Sequence, residues 1–128
     1  MAHPRMYEDD DFGLPELREV CFALPEVVEV ESWGRPTFRA GPKGKIFATY
    51  GAANDVPHSV IFKPDDDERP ALVQDPRMFV PPYYGPSGWL ALDLEAAPPD
   101  WEEIAELMET SYRHVALKRQ LKALDERG

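Results

Sequence analysis

The 128-residue chain contains a single cysteine, Cys21. An intrachain disulfide is excluded, and a disulfide-stapled fold with it. That usage suits a reducing compartment, so a cytoplasmic location is expected, with Cys21 as a buried, inert thiol on an apolar helix stripe. No apolar run approaches the roughly 20 residues of a membrane-spanning helix. The opening "MAHPRMYEDDDFG" has no apolar segment of the kind a secretory signal needs, so no membrane association is expected. Histidine is scarce: His3, His58 and His114 fall in no HxH or HxxxH pattern, and no metal is expected. The run "PDDDE" lacks the glycine and the spaced terminal glutamate of a calcium loop.

Catalytic signatures are missing too. In "GPKGKI", Ile46 stands where a phosphate-binding loop has its hydroxyl, and the upstream glycine is missing. "GPSGW" has the wrong spacing for a nucleophile elbow and runs into a strand, so Ser87 reads as a turn residue. His58 and Ser59 are neighbours on a strand, where adjacent side chains point to opposite faces and cannot pair. The chain therefore reads as non-enzymatic, with no catalytic residue and no cofactor.

Charge is abundant and uneven. The net charge is −10, with segment charges of −7 over 1–32, +4 over 33–63, −10 over 64–110 and +3 over 111–128. An acidic chain is repelled by nucleic acid and anionic membranes at long range. Screening limits that reach to about 8 Å at physiological salt, so a local basic face can still act on contact.

The apolar spacing predicts a helix near Leu14 to Leu24, with Pro15 in its first turn and Pro25 ending it. Four short strands follow, in "VVEVESW", "RPTFRAG", "KIFATYG" and "HSVIFK", joined by turns that imply an antiparallel meander. In the first of them Val28 and Val30 point one way, Glu29 and Glu31 the other. A short helix is expected over Glu68 to Gln74, its start stabilised by the aspartates before it. "GWLALDLE" is a fifth strand, with Leu90, Leu92 and Leu94 facing the core. The last helix begins at the N-cap Asp100, with Glu103 completing a capping box. Its apolar stripe is Trp101, Ile104, Ala105, Met108, Tyr112 and Val115, and it continues after a bend through Leu117, Leu121 and Leu124. The expected fold is α+β: an antiparallel sheet of about five strands with helices packed on one face, in the order α-β-β-β-β-α-β-α. Residues 1–12 read as a flexible acidic N-terminus and 13–124 as one domain.

Two candidate sites emerge. "SWGRPTFR" and the basic segment after it place Trp33, Arg35, Arg39, Lys43, Lys45 and Lys63 as a surface on which cations meet phosphates and an indole stacks, the combination nucleic-acid binders use. Between Asp75 and Leu94, "DPRMFVPPYYGPSGWLALDL" crowds aromatics among prolines and glycines. Pro81, Pro82 and Pro86 would stiffen a loop closing one end of the sheet, Phe79 and Trp89 would pack, and Tyr83 and Tyr84 would line a small pocket with Lys63. The corresponding partners are nucleic acid, or alternatively a small molecule or peptide in the tyrosine pocket, or a basic protein facing the acidic 64–110 segment. The chain is expected to be a monomer or a weak dimer, the latter through a projecting C-terminal helix.

The segments "LPEVVEVESWGRPTFRAGPKGKIFATYG", "VIFKPDD", "FVPPYYGPSGWLALDL" and "WEEIAELMETSYRHVALKR" resemble the MmcQ/YjbR family of small bacterial proteins. The telling positions are Gly34, Pro36, Phe38, Gly44-Lys45, Phe47, Lys63, Tyr84, Gly88-Trp89, Ser111-Tyr112 and Lys118, over a resemblance running from Leu14 to Leu121. It implies a compact α+β domain with an antiparallel sheet, similar to a double-wing arrangement that has been linked to DNA binding. It brings no catalytic residues, and the family's molecular function is largely unassigned.

Overall fold

The computed structural model describes residues 4–51, 53–82 and 87–127. Ten elements follow one another: α1 (Leu14–Phe22), β1 (Val28–Ser32), β2 (Arg35–Arg39), β3 (Ile46–Tyr50), β4 (Ser59–Phe62), α2 (Arg69–Leu72), β5 (Met78–Phe79), β6 (Leu90–Asp93), α3 (Trp101–Val115) and α4 (Lys118–Arg127). The strands form one antiparallel sheet in the order β1-β2-β3-β4-β6-β5. The expected α+β architecture is present, with two additions. A two-residue strand, β5, lies in the stretch read as loop. The bend after Val115 is a complete break, with Ala116 extended between two helices.

Directly opposed residues share a face, so the register sorts the side chains into rows. The helix-facing rows run Glu29–Phe38–Ala48–Phe62–Leu90 and Tyr50–Val60–Leu92–Met78. Apart from Glu29 these residues are buried against Leu14, Leu17 and Cys21 of α1 and Ile104, Met108 and Tyr112 of α3. The row on the other face runs through all six strands: Val30, Thr37, Thr49, Ile61, Ala91 and Phe79.

The β1–β2 connection is a two-residue turn at Trp33-Gly34, with φ of 55° and 80°. Positive φ at both positions is what the type I′ hairpin turn requires, and its twist matches that of the flanking strands. The turn leaves Trp33 79% exposed. β1 alternates as the sequence suggests, but its glutamates are on the helix side: the Arg18 guanidinium of α1 donates to both Glu29 carboxylate oxygens, at 2.8 and 2.9 Å, and Tyr7 Oη donates to Glu31. Val28 and Val30 take the other face.

Asp100 caps α3 as expected, accepting from the backbone N–H groups of Glu102 and Glu103. The Glu103 carboxylate does not reach back to close a capping box. It is held by Arg77, which also grips Asp75 and keeps that carboxyl below its usual range. The aspartate run before α2 does not cap with its side chains either; Asp65 Oδ1 lies 2.9 Å from His114 Nε2. α4 docks rather than projects. Leu124 packs on the core, Arg113 pairs with Asp125, and Arg127 donates to the carbonyl of Ala23.

Cys21 is fully buried, and burial pushes its thiol pKa far up. A thiol so placed is not a thiolate near neutral pH. Its reaction with a disulfide reagent such as Ellman's is expected to be negligible in the native protein and to rise in parallel with urea unfolding. Rapid labelling in native buffer would contradict the burial.

Candidate functional site

Successive residues on a strand face opposite ways, which places Arg35 and Arg39 of β2, together with Lys63 just past β4, on the face away from the helices. β2 and β4 run in the same direction with β3 between them, so Arg39 and Lys63 lie at the same end of the sheet, about 10 Å apart at the usual strand spacing. The β2–β3 turn, Ala40 to Lys45, caps that end and carries Lys43 and Lys45, both exposed. Arg39, Lys43, Lys45 and Lys63 therefore lie at one end of the sheet, Arg39 and Lys63 on the open face, Lys43 and Lys45 on the turn and bordering the space toward the α3–α4 break. Arg35 is about 13 Å along β2 from Arg39 at 3.3 Å per residue, and Trp33 lies beyond it. The six residues proposed from sequence are thus two groups: four cations at one end of the sheet, and Trp33 with Arg35 at the other.

Five arginines are ion-paired; the cations of the candidate surface, like Arg69, Lys118, Lys122 and Arg127, are not, among the described residues. Arg5, Arg18, Arg77, Arg113 and Arg119 each hold a carboxylate at 2.7–3.3 Å. Among the described residues no carboxylate is in ion-pair range of Arg35, Arg39, Lys43, Lys45 or Lys63. Arg35 donates to the Asn54 side chain at 2.9 Å and lies over Gly51. The Arg39 Nε is buried with no hydrogen-bond partner among the described residues. Much of the acidic charge points elsewhere. Glu95 holds His58 at the far end of β4, Asp100 caps the far end of α3, and Asp65 turns onto the helix side.

Lys63 is fixed through its backbone. In the β3–β4 register Ala48 opposes Phe62, so the next rung would join Phe47 and Lys63. The fully buried Ser111 hydroxyl of α3 takes that place, accepting from the Lys63 N–H at 2.9 Å and donating to the Phe47 carbonyl. Tyr112, the next residue, packs edge-on against Phe47 and donates to the Pro25 carbonyl. Ser111 stands out in the sequence only through the family resemblance, because a lone serine in a helix carries no spacing pattern that would reveal its two backbone partners.

Tyr83 and Tyr84 of the second candidate site lie outside the described residues. Their third partner, Lys63, has its side chain beside Gly88. Phe79 and Trp89 are both half-buried. His58 and Ser59 do not meet: the ring takes Glu95, the hydroxyl donates to Val56. Among the described residues no group of three or more His, Cys, Asp or Glu could hold a metal, and no helix is long and apolar enough to cross a membrane.

Fold and surface together define an α+β domain whose sheet is covered by helices on one face and carries at one end a group of cations with no carboxylate in ion-pair range among the described residues. The YjbR family model matches residues 22–114, and the chain belongs to that family. No curated protein matches it. Among solved structures it is similar to the Deinococcus radiodurans protein DR2400, whose domain is assigned to DUF419. The two share 24% identity over 88% of this chain and 87% of that one, with a TM-score of 0.70, which is a likeness of fold.

Proposed function

We propose that this domain binds nucleic acid non-catalytically, through the cations at the β2–β3 end of the sheet. The observation that supports the reading is the grouping: Arg39, Lys43, Lys45 and Lys63 lie at one end of the sheet with no carboxylate in ion-pair range among the described residues, whereas Arg5, Arg18, Arg77, Arg113 and Arg119 are ion-paired. Leaving four cations together costs mutual repulsion, which an anionic partner relieves. Trp33, at the opposite end of β2, is outside this group and contributes no stacking to it.

Fluorescence anisotropy with a labelled oligothymidine, beside a duplex of equal length, tests the reading. Four phosphate contacts on a single strand give a log–log salt slope of about −2.8, so affinity falls about 50-fold between 50 and 200 mM salt. An Arg39→Ala/Lys63→Ala variant is expected to bind at least tenfold more weakly at low salt, with a slope near −1.4. Trp33→Ala should leave both unchanged. No binding at 20 mM salt, or an affinity indifferent to salt, would overturn the proposal.

A further inference from the structure

Between the β2–β3 turn and the α3–α4 break lies a cavity of about 470 Å³, within the size range of small-molecule sites. Its apolar side is formed by Ala40, Pro42, Val115 and Leu117, and Lys43, Lys45, Arg119 and Glu26 border it. The Glu26 carboxylate is occupied: Arg119 donates to both its oxygens, Gln120 Nε2 lies 3.3 Å from one of them, and the pKa is lowered accordingly, chiefly by Arg119. The two lysines have no carboxylate in range among the described residues. The cavity thus presents two uncommitted ammonium groups above an apolar wall.

Its walls are also tied together. Gln120 is fully buried, and its side-chain amide accepts from the Leu117 N–H at 2.8 Å and donates to the Ala40 carbonyl at 3.0 Å. One side chain therefore joins the turn to the start of α4, and the space between them is preformed. Preformed walls lower the ordering cost of binding. The turn is internally rigid as well, with the Gly44 N–H bonded to the Gly41 carbonyl and the Ala40 N–H to that of Lys45.

We infer that this cavity binds a small organic anion, a carboxylate carrying an apolar body, with the body against Val115 and Leu117 and the carboxylate between Lys43 and Lys45. The site faces the α3–α4 break rather than the open sheet face. It shares the two lysines with the nucleic-acid surface but does not depend on that reading.

Titration of the ¹⁵N-labelled protein with hexanoate, with hexanol and with inorganic phosphate tests it. Hexanoate is expected to move the amide signals of Gly41, Gly44 and the Gln120 side chain saturably at millimolar concentration. Hexanol, which lacks the charge, and phosphate, which lacks the body, should each be at least tenfold weaker. Leu117→Ala trims an exposed part of the apolar wall without adding charge beside the shared lysines, and should weaken the hexanoate shifts at least fivefold while sparing oligothymidine binding. Arg39→Ala/Lys63→Ala should do the reverse. Hexanol matching hexanoate, phosphate matching hexanoate, or saturable shifts confined to another region would each overturn the inference, as would no saturable shift at all.

Discussion

Replacing Ser111 by alanine is expected to lower the stability of this domain by about 3 kcal/mol. The hydroxyl is buried and serves two backbone groups at once, the Lys63 N–H and the Phe47 carbonyl. Alanine leaves both without a partner in a region with little space for water. Each unsatisfied buried group costs about 1–3 kcal/mol, so the pair exceeds the loss of an ordinary hydrogen bond several-fold. Urea unfolding followed by circular dichroism measures the change. A loss under about 1 kcal/mol would mean that β3 and β4 close the rung themselves once the serine is gone. Because Lys63 belongs to the proposed anion surface, the same substitution should also weaken oligonucleotide binding, by loosening the strand end that carries it.

Gly44→Ala is the second substitution with a large expected effect. A β-carbon at this position would stand 2.0 Å from the Ala40 carbonyl oxygen and 2.5 Å from its carbon, both backbone atoms of the same turn. No side chain can swing aside to relieve that contact, so the turn itself must open. The expected cost is at least about 2 kcal/mol, in the upper part of the range for single substitutions. Pro42→Ala in the same turn, which clashes with nothing and only frees the unfolded chain, should cost under about 1 kcal/mol. Thermal unfolding of the two variants side by side separates clash from entropy; equal midpoints would refute the geometry of the turn. Gly44→Ala should also lose hexanoate binding even where it remains folded, since the turn forms one wall of the cavity.

Much of this architecture is legible in the sequence because local signals agree with one another. The alternation of Leu90, Leu92 and Leu94 identifies β6 and its buried side, and Asp100 marks the start of α3. Gly34, Gly41 and Gly44 mark the hairpin turns. β5 escapes such a reading, because two residues cannot display a period. After Val115 the spacing suggests a bend but not the complete break, since Leu117, Leu121 and Leu124 continue an apolar pattern across it and neither proline nor glycine interrupts it. The basic residues of 33–63 were visible as a charge excess, but proximity along the chain suggested a single surface. A strand separates its two ends by its own length, and only the topology reveals that Lys63 belongs with Arg39 while Trp33 does not. Gln120 was silent. Its importance lies in three contacts, two of them with residues some 80 and 94 positions away.

The inverted face of β1 has a consequence for how this edge of the sheet finds its alignment. In most half-buried strands a slip of one residue exposes the apolar set, and hydrophobic burial alone forbids it. In β1 the same slip would carry Val28 and Val30 toward the helices and send the glutamates to solvent, a change that burial by itself would favour. What opposes it is polar: the two-pronged grip of Arg18 on Glu29, the Tyr7 contact with Glu31, and a two-residue turn whose backbone twist admits no extra residue. The alignment of this outer strand is therefore specified by charge and turn geometry against the pull of its own valines.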